Sequence, residues 1–290
     1  MKWIAVACVA LSPLLACLNS DAQTTQAVIN STMTVIAPED EDVSNMPPPG
    51  ETGTPGGFSM RTMGDGETKI TTYVKDSMVK TVMKNEMGRS TIIRNNNAGT
   101  TITLIEIMGN KMGFLLTDAE QADMRKRMDS MIMATRAAAD TVRKMPAPDE
   151  EHKPAEVVIT NDTKKIAGFE CKKALVINTR LLGIKDTVAV WFAPALHIAN
   201  SSPAMGRGGF RSLGNFVSLN GLDQVPGLAM QYEMKMRRGR IMQMEVTKVD
   251  LKKELEPKDF DVPKDFDVKP YSEFQQMFRG MPPMRMMDRQ

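Results

Sequence analysis

TKITTYVKDSMVKTVMKNEMGRSTIIRNNNAGTTITLIEIMGNKMGFLLT, residues 68 to 117, decides the fold. Short β-branched or apolar runs at 68–75, 78–83, 90–94, 101–107 and 111–116 are separated by Asp76-Ser77, Asn85 to Gly88, Asn95 to Gly99 and Gly109-Asn110. Asn, Asp, Ser and Gly are the residues that tight turns select, because they tolerate positive φ or hydrogen-bond their own backbone. Connections this short cannot carry a parallel crossover, so the runs are expected to form an antiparallel meander of hairpins.

The next residues change period. Thr117-Asp118-Ala119-Glu120 matches a capping box, and Met124, Met128, Met131, Thr135, Ala138 and Val142 then recur at steps of four and three. A helix over about 118–144 is predicted, its methionine stripe lying on the sheet. Pro146 and Pro148 stop it. Strand texture resumes at 156–160, 170–179, 187–192, 228–236 and 240–249, a second meander, with Gly206-Arg207-Gly208-Gly209 interrupting it. Upstream, residues 27–36 form a first strand, followed by the acidic run 39–42 and the Pro/Gly-rich stretch to Gly57, which reads as a solvated loop rather than a calcium loop. Near the C-terminus Pro257 to Val262 and Pro263 to Val268 repeat the hexapeptide PKDFDV. Two copies are too few for a solenoid, so each is expected to be a bend whose Phe and Val anchor the chain across the sheet.

Residues 1–22 look like an export signal: Lys2 is the positive end, and Trp3 to Leu18 is an apolar stretch too short to span a membrane stably. Two exits compete. Cleavage after Ala22 would release a soluble chain, whereas Leu14-Leu15-Ala16-Cys17 resembles a lipobox and would place lipid on Cys17. With Cys8 in the signal, Cys171 is the one cysteine in the folded part, expected as a buried small hydrophobe. Lys and Arg total 37 against 35 for Asp and Glu, so no global field favours nucleic acid or anionic lipid.

No catalytic constellation emerges. The chain has 2 histidines, His152 and His197, neither with metal-ligand spacing, and it lacks the G-x-S-x-G, S-x-x-K and C-x-x-C patterns. The Gly206 to Gly209 run continues Phe210-Arg211-Ser212 and lacks the Lys-Ser/Thr pair of a phosphate loop. Lys235 to Arg240 reads as a charged hairpin turn without an aromatic stacking platform. Only 2 tryptophans, Trp3 and Trp191, leave little aromatic surface for sugars, which counts against glycoside hydrolysis. Among 26 methionines, the tail holds Met277, Met281, Met284, Met286 and Met287, a spacing that a thioether copper site would use; Met281, Met284, Met286 and Met287 are the weak metal candidates beside a purely compositional reading.

In the second half, Lys164-Lys165-Ile166-Ala167-Gly168-Phe169-Glu170-Cys171-Lys172-Lys173-Ala174, then Val188 to Pro194 with Trp191-Phe192, then Val225-Pro226-Gly227-Leu228 occur in order. This resembles a family of exported bacterial proteins of unknown function, related to the GLPGLI family, over residues 25 to 275. Gln224, Val225 and Ala229 depart from the GLPGLI motif, so the plainer family is the better fit. The resemblance implies a LolA-like lipoprotein-carrier architecture, a half-barrel sheet around a helix, and no established activity. Gly168 and Gly227 suit turns needing positive φ, and Trp191 and Phe192 should point to opposite sheet faces.

The expected protein is α+β: a curved antiparallel half-barrel of two meanders with one amphipathic helix packed on it. Its parts are a signal (1–22), a first strand and acidic/Pro-Gly loop (23–57), a sheet-plus-helix domain (58–275) and a disordered Met-rich tail (276–290). Function is expected to be non-enzymatic binding of lipid or another apolar ligand on a concave face in the bacterial envelope, without a cofactor. It would be periplasmic or secreted, or an outer-membrane lipoprotein if cleaved before Cys17, and would meet the membrane only through that anchor. The alternatives are a structural or interaction module engaging an envelope protein, and a thioether copper binder.

Overall fold

A computed structural model describes residues 25–37, 66–139, 155–179, 185–198, 221–236 and 239–273. Twelve strands form one open sheet: β1 (Gln26–Ile36), β2 (Gly66–Lys75), β3 (Met78–Asn85), β4 (Gly88–Asn95), β5 (Thr100–Ile107), β6 (Asn110–Thr117), β7 (Glu156–Ile166), β8 (Phe169–Thr179), β9 (Lys185–Ala193), β10 (Leu228–Lys235), β11 (Ile241–Asp250) and β12 (Val268–Pro270). Their order across the sheet is β12-β6-β5-β4-β3-β2-β1-β11-β10-β9-β8-β7. All pairings are antiparallel except β12 with β6. The central position of β1, hydrogen-bonded to both β2 and β11, joins the two halves of the chain.

Turn chemistry fixes the registers. Met108 and Gly109 have φ 50° and 82°, and Ala167 and Gly168 have φ 47° and 89°, the paired left-handed residues of two-residue hairpins. At the β3–β4 turn the Asn85 side chain accepts from the Met87 and Gly88 amides, each at 3.1 Å. Met236 N–H donates to the Arg240 carbonyl at 2.7 Å, closing the β10–β11 turn where the charged hairpin was expected.

Alternation gives the sheet two faces of different character. On the first face, Met33, Ile70, Met83 and Ile92 join Val176, Val190, Tyr232, Met234, Met242 and Met244 in one buried cluster. On the second face, Val28, Ile93 and Leu104 pack with the C-terminal segment, whose Leu255 and Phe260 are buried and whose Val262, Phe266 and Val268 are partly so. The tandem hexapeptide is therefore a strap: its first copy forms a 3₁₀ turn at Pro257–Phe260, and its second leads into β12. Lysines fasten it, with Lys80 Nζ donating to the Asp259 carbonyl at 2.6 Å and Lys111 pairing with Asp265. Gly113 lets the strap close against β6, because a Cβ there would lie 2.8 Å from Val268 Cγ2.

The helix α1 (Asp118–Ala139) begins where β6 ends, through the expected capping box. The Glu120 amide donates to Thr117 Oγ1 at 3.2 Å and the Thr117 amide to Glu120 Oε2 at 2.9 Å. Asp118 is further held by Arg94 Nη1 and Nη2 at 2.6 and 2.8 Å, and this pairing keeps the Asp118 carboxyl below its usual range. The expected packing of the methionine stripe is corrected at Met131, while Met124 is half-buried. Met131 is 70% and Met133 54% exposed, and no described side chain of α1 is buried. Anchored at the sheet rim without a linker, and carrying Lys126, Arg127 and Ser130 among its exposed residues, the helix does not lay Met131 on the sheet. Residues 140–144 of the expected helix lie outside the described residues, as do 1–22, the acidic and Pro/Gly-rich residues 39–57, and 276–290.

Candidate functional site

The predicted ligand-lining face is the methionine-rich first face, and it is closely packed. Met33 is 1%, Met234 3% and Met242 2% exposed, with Phe192, the largest fully buried side chain, at 1%. Tyr232 lies within this core, and burial drives its phenol far above the ordinary range.

The open depression lies on the opposite face, over β1, β11, β10 and β9, beside the region covered by the strap. Its volume is about 480 Å³. Register explains its composition. Thr32, Glu245, Gln231, Trp191 and Lys173 stand opposite one another across five successive strands, and Thr34, Gln243 and Glu233 form the adjoining row. Each row alternates along its strand with the buried residues of the first face, so the sequence that builds the methionine core also builds a polar trough behind it. Trp191 and Phe192 occupy opposite faces as expected: Phe192 is buried in the core and the half-buried Trp191 lines the trough.

The trough's side chains hold one another. Gln231 Nε2 donates to Glu245 Oε2 at 3.1 Å, and Gln243 Nε2 donates to Glu233 Oε2 at 3.0 Å. Lys164, from the edge strand β7, donates to Gln231 Oε1 and places its ammonium 4.4 Å from the Trp191 ring centroid. The ring also has the Lys173 ammonium at 5.8 Å, and Lys173 pairs with Asp162 at 3.2 Å. An ammonium, an amide and a carboxylate are thus linked in series across the floor. Sequence reading missed this constellation, although polar residues at 231, 233, 243 and 245 alternating with methionine and tyrosine at 230, 232, 234, 242 and 244 were its visible signal.

The remaining candidates are dispersed. His197 is exposed after the β9 turn, while His152, the glycine-rich insert 206–209, Cys17 and Met277, Met281, Met284, Met286 and Met287 lie outside the described residues. Among the described residues no group of three or more His, Cys, Asp and Glu could hold a metal ion, and no helix is long and apolar enough to cross a membrane. Cys171 is a free, fully buried thiol whose Sγ lies 3.5 Å from the Phe169 carbonyl oxygen, and desolvation pushes its pKa up. With Cys8 and Cys17 replaced by serine, we expect it to resist a thiol-exchange reagent at pH 8 in the native protein and to react when denaturant is added, followed by absorbance; prompt native labelling would contradict this burial.

No protein-family model matches the chain, and no curated protein matches it. The resemblance to the unknown-function and GLPGLI families accordingly rests on the motif residues alone. Solved structures do overlap it loosely. PNGF-II, in two crystal forms, is 13% and 14% identical over 88% of this chain, with TM-scores of 0.36 and 0.35. This chain spans about a third of the length of those chains, 33% and 34%. A LolA superfamily protein from Nitrosomonas europaea is 8% identical, with 82% of this chain and 91% of that chain covered and a TM-score of 0.30. Overlap this loose carries no functional argument.

Proposed function

We propose that the protein is a non-enzymatic binder of an apolar ligand, such as a lipid acyl chain, working in the cell envelope after export. One observation supports this reading: five methionines, Met33, Met83, Met234, Met242 and Met244, share a single apolar cluster with Val35, Ile70, Val188 and Phe192 on one face of an open sheet. Thioethers are unbranched and adapt their rotamers, so such a lining can close on itself when empty and repack around chains of different shape. In this reading the sheet curls as a half-barrel with its methionine face inside, and no cofactor is needed.

Native mass spectrometry of the full chain purified from its own envelope tests the proposal. A co-purifying lipid, and uptake of a fluorescent long-chain fatty acid after delipidation, are the expected results. A ligand-free mass together with no probe uptake would sink it. The same spectrum gives the mature N-terminus, either diacylated Cys17 or Gln23. The exposed Met131 and Met133 of α1 favour a second reading, an interaction module engaging an envelope protein. A thioether copper site in the tail, at Met281, Met284, Met286 and Met287, is the third, and it fails if deleting residues 277–290 leaves Cu(I) affinity unchanged.

A further inference from the structure

We infer that the polar trough on the second face is a binding site for a neutral oligosaccharide, separate from the methionine face. Its position is the first reason. The second face carries apolar residues where the strap covers it, at Val28, Ile93 and Leu104, and switches to threonine, glutamine and glutamate where no part of the strap lies over it. A sheet face needs only to be soluble to stay uncovered, and scattered lysines and glutamates would suffice. Here the polar groups are instead paired across strands into amide–carboxylate units, Gln231 with Glu245 and Gln243 with Glu233, on the solvent-exposed side of the sheet.

The chemistry of the floor is the second reason. Hydroxyls from Thr32 and Thr34, the two amides and the two carboxylates present donors and acceptors together in rows about 5 Å apart across the strands, so separate side chains would meet separate hydroxyls of an extended sugar chain. Lys164 reaches the Gln231–Glu245 unit, and Lys173, on the same tryptophan, is paired with Asp162, so two ammoniums face three carboxylates, Asp162, Glu233 and Glu245. This small acidic excess disfavours an anion and holds a cation only weakly. Trp191 supplies the flat face on which a pyranose ring stacks, and the ammonium groups above it are what the sugar would displace. The volume of about 480 Å³ falls in the range of small-ligand sites. A low tryptophan count argued against sugars in the sequence, but Trp191, one of the 2 tryptophans, lines the trough.

The test uses the full chain carrying Trp3→Phe, so that Trp191 is the sole indole. The protein is screened on an array of neutral linear oligosaccharides, and positives are titrated by Trp191 emission. We expect a saturable emission change with at least one oligosaccharide, and at least tenfold weaker binding in Gln231→Ala and Gln243→Ala. Fatty-acid uptake and the thermal midpoint should stay as in the parent protein, which separates this site from the apolar one. Three outcomes overturn the inference: binding to no array member, binding that both glutamine variants leave unchanged, or a preference for spermidine or a sulfated oligosaccharide over every neutral one.

Discussion

Phe192→Ala is expected to lower the unfolding free energy by about 3–5 kcal/mol, the cost of deleting a buried aromatic ring and leaving a cavity. Phe192 sits on β9 at 1% exposure, inside the cluster that also holds Val190, Ala174 and Tyr232, with Ala229 and Lys172 as its cross-strand partners. Ala229 on β10 and Ala174 on β8 are too short to fill the void, and the exposed Lys172 would have to bury its charge to do so. Against a typical total of about 5–15 kcal/mol, such a loss brings the protein close to unfolding at ambient temperature. Urea titration followed by far-UV circular dichroism measures it, and the midpoint should fall while the slope is retained. Trp191→Ala, one residue away on the half-buried side, is the control and should cost clearly less. If the two variants lose equal stability, the assignment of core and trough to opposite faces is wrong.

Gly227→Ala is the second large effect, for a different reason. Gly227 has φ +137°, and a Cβ built there would lie 2.3 Å from the Ala193 carbonyl oxygen, 2.9 Å from its carbon and 3.0 Å from Pro194 Cα. All three atoms are backbone, so no side chain can swing aside; the end of β9 or the start of β10 must move. Backbone strain and overpacking each cost about 1–3 kcal/mol, and a loss of about 3 kcal/mol or more is expected. Gly168→Ala separates the two contributions. Its φ is +89°, yet nothing lies within 4 Å of the added Cβ, so only the left-handed penalty of about 1–2 kcal/mol applies. Equal midpoints for the two variants in the same urea titration would refute the close approach at Ala193.

Local chemistry made the strands legible. Every hairpin of residues 66–117 was visible because its turn residues and β-branched runs are local signals, and β2 to β6 start within two residues of the expected positions. The capping box at Thr117 was equally local. Three features were not. The pairing of β1 with β11 joins Val28 to Asp250, and neither segment names its partner. Met124 and Met131 share the spacing of a buried stripe, yet Met124 is half-buried and Met131 exposed, because spacing says which residues share a helix face and not whether anything covers it. The trough draws on β1, β7, β8, β9, β10 and β11, so it exists only once register places Glu245 beside Gln231 and brings Lys164 over Trp191. Its polar alternation was readable, but the eye follows the apolar members of a strand. The strap was legible in part: the repeated Phe and Val do anchor across the sheet, whereas the parallel pairing of β12 left no mark in three residues.

The central place of β1 has a consequence for how the chain reaches this fold. Its partner β2 lies within 50 residues, but β11 ends at Asp250, so half of β1's backbone groups wait for almost the whole polypeptide before they are paired. Contacts that distant in sequence must close a large loop before they repay it, which puts folding at the slow, high-contact-order end. Until then β1 offers a bare strand edge ending at Val35-Ile36, a template for the wrong neighbour. A holdase that shields one extended segment, Gln26–Ile36, would protect the entire assembly during that interval.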